Sequence, residues 1–296
     1  MKLIKPSFEI WEQPSGLEGV YKQIERAGRV CYKSEDKIAE GTAKAFVDRM
    51  IASGHGAMLE HGTVYLKCKT EVINRYIHPE DGEEEDFNKL EKYEYNSYSV
   101  TNDDGIYLYV TTNLRVLVEN DWLDDLQYIC EPTEYHEKRI TVHFVCDRGV
   151  SHEFVRHRVM SFAQESTRYC NYSKDKFGNE LTFIQPCWLD DERLKLYRPY
   201  HTVIRDKSLE SIFIASLNNA EKDYIDLIDL GWKPQEARAV LPNSLKTELV
   251  VTGFVSDWNH FFDLRARGTT GAPHPQAKEL AEPLMKEFIA RKYINN

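Results

Sequence analysis

The chain has 296 residues, 42% hydrophobic and 12% aromatic, enough to bury a sizeable core and too apolar for a disordered segment. Its net charge of −10 argues against general affinity for nucleic acid or an anionic membrane, so any anion site must be a local concentration of positive charge. Cys31, Cys68, Cys130, Cys146, Cys170 and Cys187 are scattered and form no C-x-x-C pair, which points to free thiols in a reducing compartment.

The N-terminus has no apolar run of signal-peptide length and no stretch approaches a membrane span, so a cytoplasmic protein is expected. Residues 3–11 read as one short strand, stopped by Pro14. Ser15 and Glu18 suit a capping box, and Leu17, Val20, Tyr21 and Ile24 follow at helical spacing. A second helix is expected from Thr42 through Phe46, Val47, Met50 and Ile51 to Gly54.

Residues 64–139 differ in style. Val64-Tyr65-Leu66 reads as a strand, residues 79–86 as an acidic solvated loop, and residues 93–100 and 106–111 flank a hairpin turn at Asp104-Gly105. No catalytic pattern is visible in this block.

Residues 140–145 alternate as a strand. A helix is then expected from near Ser151, with Val155, Val159 and Phe162 at i, i+4 and i+7 as its inward stripe. A longer helix is expected over 208–230, ended by Gly231; Pro234 opens a short one that carries Arg238 and stops before Pro242. Residues 249–255 form a β-branched run, and Ser256 is expected to cap a helix reaching Arg265. Pro275 opens the last helix, with Leu280, Leu284 and Phe288 on one face and a kink at Pro283. The fold class is α+β, with several helices packed around a modest mixed or antiparallel sheet, and no linker divides residues 1–296 into separate domains.

The chemistry concentrates between His152 and Ser173. On the expected helix, His152 and Arg156 share a face, as do Glu153 and His157, while Arg156 and Arg158 diverge toward two anionic groups. The segment Ser161-Phe162-Ala163-Gln164-Glu165-Ser166-Thr167-Arg168-Tyr169 adds hydroxyls, an amide and a further guanidinium, the groups that phosphate and ribose recognition require. A surface helix with ordinary salt bridges could carry the same residues. Arg265, seven after Trp258 and four after Phe261, falls on an apolar face, where a ligand or a carboxylate must meet it. Arg238, beside Ala237, Val240 and Leu241, also reads as apolar in setting. Several such arginines in an acidic chain favour a shared anionic ligand.

Rival readings are weaker. His143, Cys146, His152 and His157 match no metal-ligand spacing, so no metal is expected. The Arg-His-Arg segment could instead serve a nucleic-acid-binding module, but no basic stripe extends it. No phosphate-binding glycine motif of the P-loop or dinucleotide type is present. Cys170 is the one thiol near the motif, and it reads more simply as a small residue packed beside Tyr169.

Arg156-His157-Arg158, then seven residues, then Ser166 resembles the signature of the flavin-dependent thymidylate synthases. Ser161, residues 165–169, Ser173, the Ser53-Gly54-His55 to Glu60-His61 loop, Arg238-Ala239-Val240-Leu241-Pro242 and Phe261-Phe262-Asp263-Leu264-Arg265 extend the likeness. It covers roughly 15–61 and 140–290 and leaves about 64–139 as an accessory insertion. The resemblance implies a homotetramer with shared active sites that converts dUMP to dTMP. Methylenetetrahydrofolate would be the carbon donor, FAD the hydride carrier and NADPH the reductant. It assigns Ala57, Arg156, His157, Arg158, Gln164, Ser256 and His260 to FAD. To the nucleotide it assigns Glu153, Arg156, Gln164, Glu165, Ser166, Thr167, Arg168, Arg238 and Arg265. Ser166 and Arg265 would be catalytic, Arg265 standing where the family has the arginine that favours an N3-ionised uracil.

The chain departs from the commoner pattern at several of these positions. Ala163-Gln164 replaces an Asn-Glu pair, Glu153 a glutamine, Ala57 a hydroxyl residue, and Phe254 and His260 asparagines. A carboxylate at 153 beside a phosphate is repulsive unless an arginine neutralises it. An inactive flavin- or nucleotide-binding relative is the remaining alternative, against which Ser166 and Arg265 argue.

Overall fold

Pro6 divides the first apolar run, because proline lacks the N–H that a continuing ladder needs. The expected single strand is therefore two, β1 (Lys2–Ile4) and β2 (Ser7–Trp11), which join different sheets. The computed structural model describes residues 1–70, 73–77, 84–189, 191–192 and 208–295. Helix α1 (Gly16–Tyr32) has Ser15 at its N-cap position, but the Ser15 hydroxyl donates to Glu131 (2.9 Å), so no capping box forms. Helices α2 (Thr42–Ala52) and α3 (Gly56–Leu59) follow.

The block after them builds its own sheet. Strands β3 (Thr63–Lys69), β4 (Ile73–Ile77), β5 (Glu84–Asn88), β6 (Val100–Asp103) and β7 (Tyr107–Asn113) precede helix α4 (Leu114–Glu119). β3, β7 and β6 form an antiparallel sheet, and Gly105 turns the β6–β7 hairpin at φ +82, a left-handed value that suits glycine. The first hairpin strand begins only at Val100, since Glu91–Tyr95 is a 3₁₀ turn. The acidic run is not wholly a loop: its later residues pair in β5 against β4, Glu85 opposite Tyr76, while Glu83 lies outside the described residues. Val64, Leu66, Val110 and Leu114 share one apolar core with Val20, Ile24 and Phe46, so the block is packed into the fold through α1 and α2.

The central sheet follows. Strand β8 (Arg139–Asp147), helix α5 (Arg148–Phe154), β9 (Ser161–Gln164), β10 (Thr182–Ile184), α6 (Leu209–Asp229), α7 (Pro234–Ala237), β11 (Lys246–Phe254), α8 (Val255–Phe262) and α9 (Pro275–Ala290) complete the order. The antiparallel order is β2-β8-β11-β9, while β1 pairs in parallel with β10. One face of this sheet buries Phe144, Phe154, Trp258, Phe261, Leu284 and Phe288, and Trp258 Nε1 donates to the Ile140 carbonyl (3.1 Å).

Two helix expectations fail near the motif. α5 ends at Phe154, and Val159 is 65% exposed. Val150 and Phe154 already fill the inward stripe, and Ser161–Gln164 pair with residues 249–252 as an edge strand, burying Ser161 and Ala163. The i, i+4, i+7 spacing thus spans a helix end, a turn and a strand. Ser256 is likewise not a cap: Phe254 holds the N-cap position, and its N–H donates to Asp257 (3.0 Å). α8 then widens into a π-helical turn, Asp263–Arg267, which resets the phase of Arg265 against Trp258 and Phe261.

Candidate active site

Arg265 projects from the π-helical turn, and three of its donors are engaged. Nη1 donates to Glu153 Oε2 (2.5 Å), Nη2 to the Glu153 carbonyl (2.8 Å) and Nε to His157 Nε2 (3.2 Å). That carbonyl is one of those left open by the early end of α5. A ring nitrogen that accepts from a guanidinium is unprotonated, and burial, then the nearby Arg265 and His260, push His157 down to about 4. The carboxylate that Arg265 required is therefore Glu153, which also answers the question of what neutralises Glu153. Their side chains are 15% and 30% exposed, so the pair stands at an opening. His260 on α8 lies beside His157, ring centroids 5.8 Å apart. Arg156 is close enough that its charge, after burial, helps lower Arg265.

Arg158 leads to a second place, a cleft of about 580 Å³ that it lines with Ser256, Arg139, Arg115, Ser99 and Tyr98. Arg156 and Arg158 do diverge, but a turn separates them where a helix was expected. Arg139 opens β8 and is 9% exposed; it donates to the Glu60 carbonyl (3.0 Å) and to Ser161 Oγ (3.3 Å). Its Nε has no partner among the described residues, and burial lowers its pKa to about 10. The guanidinium lies 5.5 Å from the Phe254 ring centre. Ser99, Tyr98 and Arg115 come from the block in which the sequence showed no chemistry; Arg115 is held by Glu60 (2.5 Å) and Glu119 (2.7 Å). Ala57 is exposed on α3, three residues before Glu60, another residue of the cleft wall.

A third place is the loop after β9. Gln164 Nε2 donates to Ser151 Oγ (2.8 Å) on α5 and to Thr247 Oγ1 (3.2 Å), fixing β9 against the Glu153 helix. The Ser166 N–H donates to the Cys31 carbonyl (3.0 Å), and its hydroxyl accepts from the Arg168 N–H (3.3 Å). Arg238 Nη1 donates to Thr167 Oγ1 (3.2 Å). Arg238 and Arg168 are both exposed, and the apolar setting expected for Arg238 is absent. α7 is a single turn that passes into a 3₁₀ turn, so of its neighbours Ala237 is buried while Val240 faces out.

Glu165 turns inward, away from the open nucleotide contact the resemblance implied. It is 2% exposed, paired with Lys246 (2.9 Å), and accepts from the Tyr172 hydroxyl (3.0 Å). Lys246 also meets Glu248, which Lys33 (2.9 Å) and His143 (2.9 Å) contact from other sides. His143 stacks on Trp11, centroids 4.9 Å apart. Cys170 is buried beside Glu165, and burial pushes its thiol up to about 12.

Arg139, Lys246 and Glu248 were missed by the sequence reading, yet a signal existed. Arg139, Thr141 and His143 alternate along β8, and Lys246, Glu248 and Thr252 along β11. Such alternation ordinarily marks a solvated face; here α1 covers part of it, through Ala27 and Val30 packed against Trp11, Ala163 and Val250.

With this geometry in hand, comparison with known proteins gives one family. Its model, "Thymidylate synthase complementing protein", matches residues 132–291, more than half of the chain, and the chain belongs to that family. It is 32% identical to the flavin-dependent thymidylate synthase of Pyrococcus furiosus, over 50% of this chain and 53% of that one. It is 28% identical to that of Corynebacterium glutamicum, over 86% of this chain and 71% of that one. The chain spans about half the length of the archaeal relatives it matches, 53% and 54% of the two Pyrococcus proteins. A solved structure of a UMP/dUMP methylase, PolB from Streptomyces cacaoi bound with 5-Br dUMP, has a TM-score of 0.44 at 17% identity, covering 98% of this chain and 93% of that one.

Proposed function

We propose that the chain is a flavin-dependent thymidylate synthase, converting dUMP to dTMP with methylenetetrahydrofolate as carbon donor and NADPH as reductant. The observation that carries this reading is the divergence of Arg156 and Arg158. One lies near the half-open Arg265–Glu153–His157 cluster, the other on the 580 Å³ cleft. Two anion-seeking places on either side of one turn suit a nucleotide and a phosphate-bearing cofactor. The names of the relatives, flavin-dependent thymidylate synthases, support the same reading.

The cleft fits FAD by the chemistry of its donors. Arg158 and Arg139 offer guanidinium groups to a diphosphate, Ser99 and Ser256 offer hydroxyls, and the Phe254 and Tyr98 rings offer flat apolar surface. Arg139 Nε is a buried donor in want of an acceptor, which a bound group would supply. A flavin held there would supply the hydride chemistry. On the nucleotide side, the exposed Arg238 and Arg168 with Ser166 suit a phosphate, and Arg265 suits the oxygen-rich edge of a pyrimidine. The exposed apolar side chains Val159, Tyr169 and Tyr32 beside the motif support shared sites in a homotetramer. Residues 64–139 then belong to a single working domain and supply one cleft wall. Among the described residues no helix is long and apolar enough to cross a membrane; we take the enzyme as cytoplasmic, with no nucleic-acid partner.

The absorbance spectrum of the purified protein tests this reading, with a parallel assay of dTMP formation from dUMP, methylenetetrahydrofolate, FAD and NADPH. The expected result is a yellow protein whose flavin is bleached by NADPH and whose product is dTMP. A colourless protein that takes up no FAD and forms no dTMP overturns it.

A further inference from the structure

The loop after β9 carries the phosphate-seeking groups of the nucleotide reading, and two of its own side chains close its base. The Tyr172 hydroxyl donates to Glu165 Oε1 (3.0 Å), a bond between residues seven apart in sequence, so Ser166, Thr167, Arg168 and Tyr169 lie inside one cinched loop. The other carboxylate oxygen, Oε2, accepts from Lys246 on β11 (2.9 Å), and the Glu165 N–H donates to the Glu248 carbonyl of the same strand (2.9 Å). Tyr172 is anchored too. It is 6% exposed, its N–H donates to the Tyr224 hydroxyl on α6 (3.4 Å), and its ring packs on Phe177, centroids 5.1 Å apart. The loop then rests on the end of α1, through the Ser166 N–H to the Cys31 carbonyl (3.0 Å) and the Tyr169 ring against Tyr32, centroids 5.1 Å apart.

Resting on the nucleotide reading above, we propose that Glu165 and Tyr172 are positioning residues. Their bond clasps the base of the loop and holds Ser166, Thr167 and Arg168 ready to grip the nucleotide phosphate, while neither side chain touches the nucleotide itself. A free loop must lose its conformational freedom when the phosphate arrives, and a loop closed at its base has already lost much of it. The bond suits that task. A hydroxyl donating to a buried carboxylate is a charge-assisted hydrogen bond, stronger than a neutral one. Burial, then the charge of Glu165, raises the Tyr172 hydroxyl well above its ordinary 10, so the donor keeps its proton. Lys246 matches the charge of Glu165, so the clasp sets no net negative charge beneath the phosphate.

The phosphate is remote from the pyrimidine carbon that reacts, and a grip on it acts alike before and during the chemical step. Loss of the clasp therefore belongs in KM and leaves kcat in place.

The flavin-loaded wild type, Tyr172→Phe, Glu165→Gln and Leu181→Val are compared for dUMP affinity by equilibrium dialysis, for KM and kcat of dTMP formation, and for urea midpoint. Leu181 lies in the same apolar cluster as Tyr172 and takes no part in the clasp, so its variant controls for general loss of stability. Tyr172→Phe keeps the ring and removes only the donor, and is expected to raise the Kd and KM for dUMP about tenfold with kcat within about threefold of wild type. Glu165→Gln keeps an acceptor for Tyr172 but loses the ion pair with Lys246, and a smaller rise of about threefold is expected. Leu181→Val is expected to lower the urea midpoint and leave Kd and KM at their wild-type values. Should Tyr172→Phe fail to fold, Glu165→Gln is set against Leu181→Val in its place. A wild-type Kd in the clasp variant overturns the proposal, as does an equal rise in Leu181→Val or a fall in kcat at unchanged KM; the nucleotide reading then stands. Failure of the wild type to bind dUMP overturns the nucleotide reading itself, and the proposal with it.

Discussion

Two clusters of paired opposite charges in this molecule differ in one respect. Arg265, Glu153 and His157 meet at an opening, with donors to spare. Lys246, Lys33, Glu165, Glu248 and His143 meet under α1 and the central sheet, where Glu165 is 2% exposed and its carboxylate is bonded on both oxygens. The residue types are alike, and it is the exposure of the carboxylate that separates them: the Glu153 side chain is 30% exposed, that of Glu248 12% and that of Glu165 1%. In the closed cluster, removal of a carboxylate leaves its lysines short of a partner where little water reaches. In the open one, water or a ligand takes the vacated place.

The largest expected effect is therefore in the closed cluster. Glu248→Ala leaves Lys33 and Lys246 short of a counter-charge and is expected to cost about 3–5 kcal/mol in urea unfolding. Glu153→Ala, at the opening, is expected to cost about 1 kcal/mol or less. Equal losses in the two variants would erase the distinction drawn here. The same cluster sets a pH dependence. Burial opposes the charge on Glu248, yet His143, Lys246 and Lys33 together hold it well below its ordinary 4.5. A carboxylate depressed in the folded state stabilises the fold fully above that ordinary value, and the contribution fades as pH falls below it. Urea midpoints are thus expected to drop on acidification through 4.5, and Glu248→Ala to flatten that drop.

Next in size is Arg265→Ala. If its guanidinium meets charge that grows on the pyrimidine during reaction, turnover falls about a hundred- to a thousand-fold, while unfolding and flavin content stay near wild type. Arg265→Lys is expected to recover only part, since an ammonium lacks the planar fork that now holds Glu153 and His157. Near-normal turnover in the alanine variant would make Arg265 a structural partner of Glu153 and move it to the other side of the comparison.

A smaller effect is expected at the cleft. Arg158→Ala removes a charged donor from its wall and is expected to weaken flavin retention about ten- to a hundred-fold, read by absorbance after gel filtration. Tyr98→Ala tests whether residues 64–139 reach the cofactor, with a paler protein as the expected result. Full flavin occupancy in both variants would leave the cleft without a flavin role.

What the sequence disclosed, and what it hid, follows the same division between local and long-range causes. The strands at 140–145 and 249–255, the Asp104-Gly105 turn and the helices from Thr42, Ser208 and Pro275 rest on local periodicity and punctuation, and the structure has them, except that Val255 already opens α8. The helix expected through Val159 and Phe162 failed because pairing of Ser161–Gln164 with β11 is a contact between residues 85 to 91 apart, invisible to a local pattern. The demand that Arg265 find a carboxylate was legible, but its identity was not, because Glu153 lies 112 residues away. The wall that Tyr98, Ser99 and Arg115 give the cleft was hidden for a further reason. Single polar residues on a loop and on helix α4 carry no spacing of their own.

The smallest expected effect is at Cys170, which lies next to the motif in sequence but belongs with the closed cluster in space. A thiol serves as a nucleophile only as its thiolate, so it needs a neighbouring cation or base and access to the reacting carbon. Cys170 has the reverse. It is 2% exposed in an apolar cluster with Tyr172, Leu181, Phe183 and Tyr224. Burial, reinforced by the Glu165 charge, pushes its thiol up to about 12. At neutral pH the thiolate fraction is then negligible, and the sulfur is buried among those side chains. Cys170→Ala removes one packed sulfur, with an expected destabilisation of about 1 kcal/mol. Formation of dTMP is expected to stay within a few-fold of wild type at 25 °C. Complete loss of turnover in a variant that still binds flavin and melts near the wild-type temperature would show the thiol to be part of the chemistry, and would place a working group inside the cluster assigned here to structure alone.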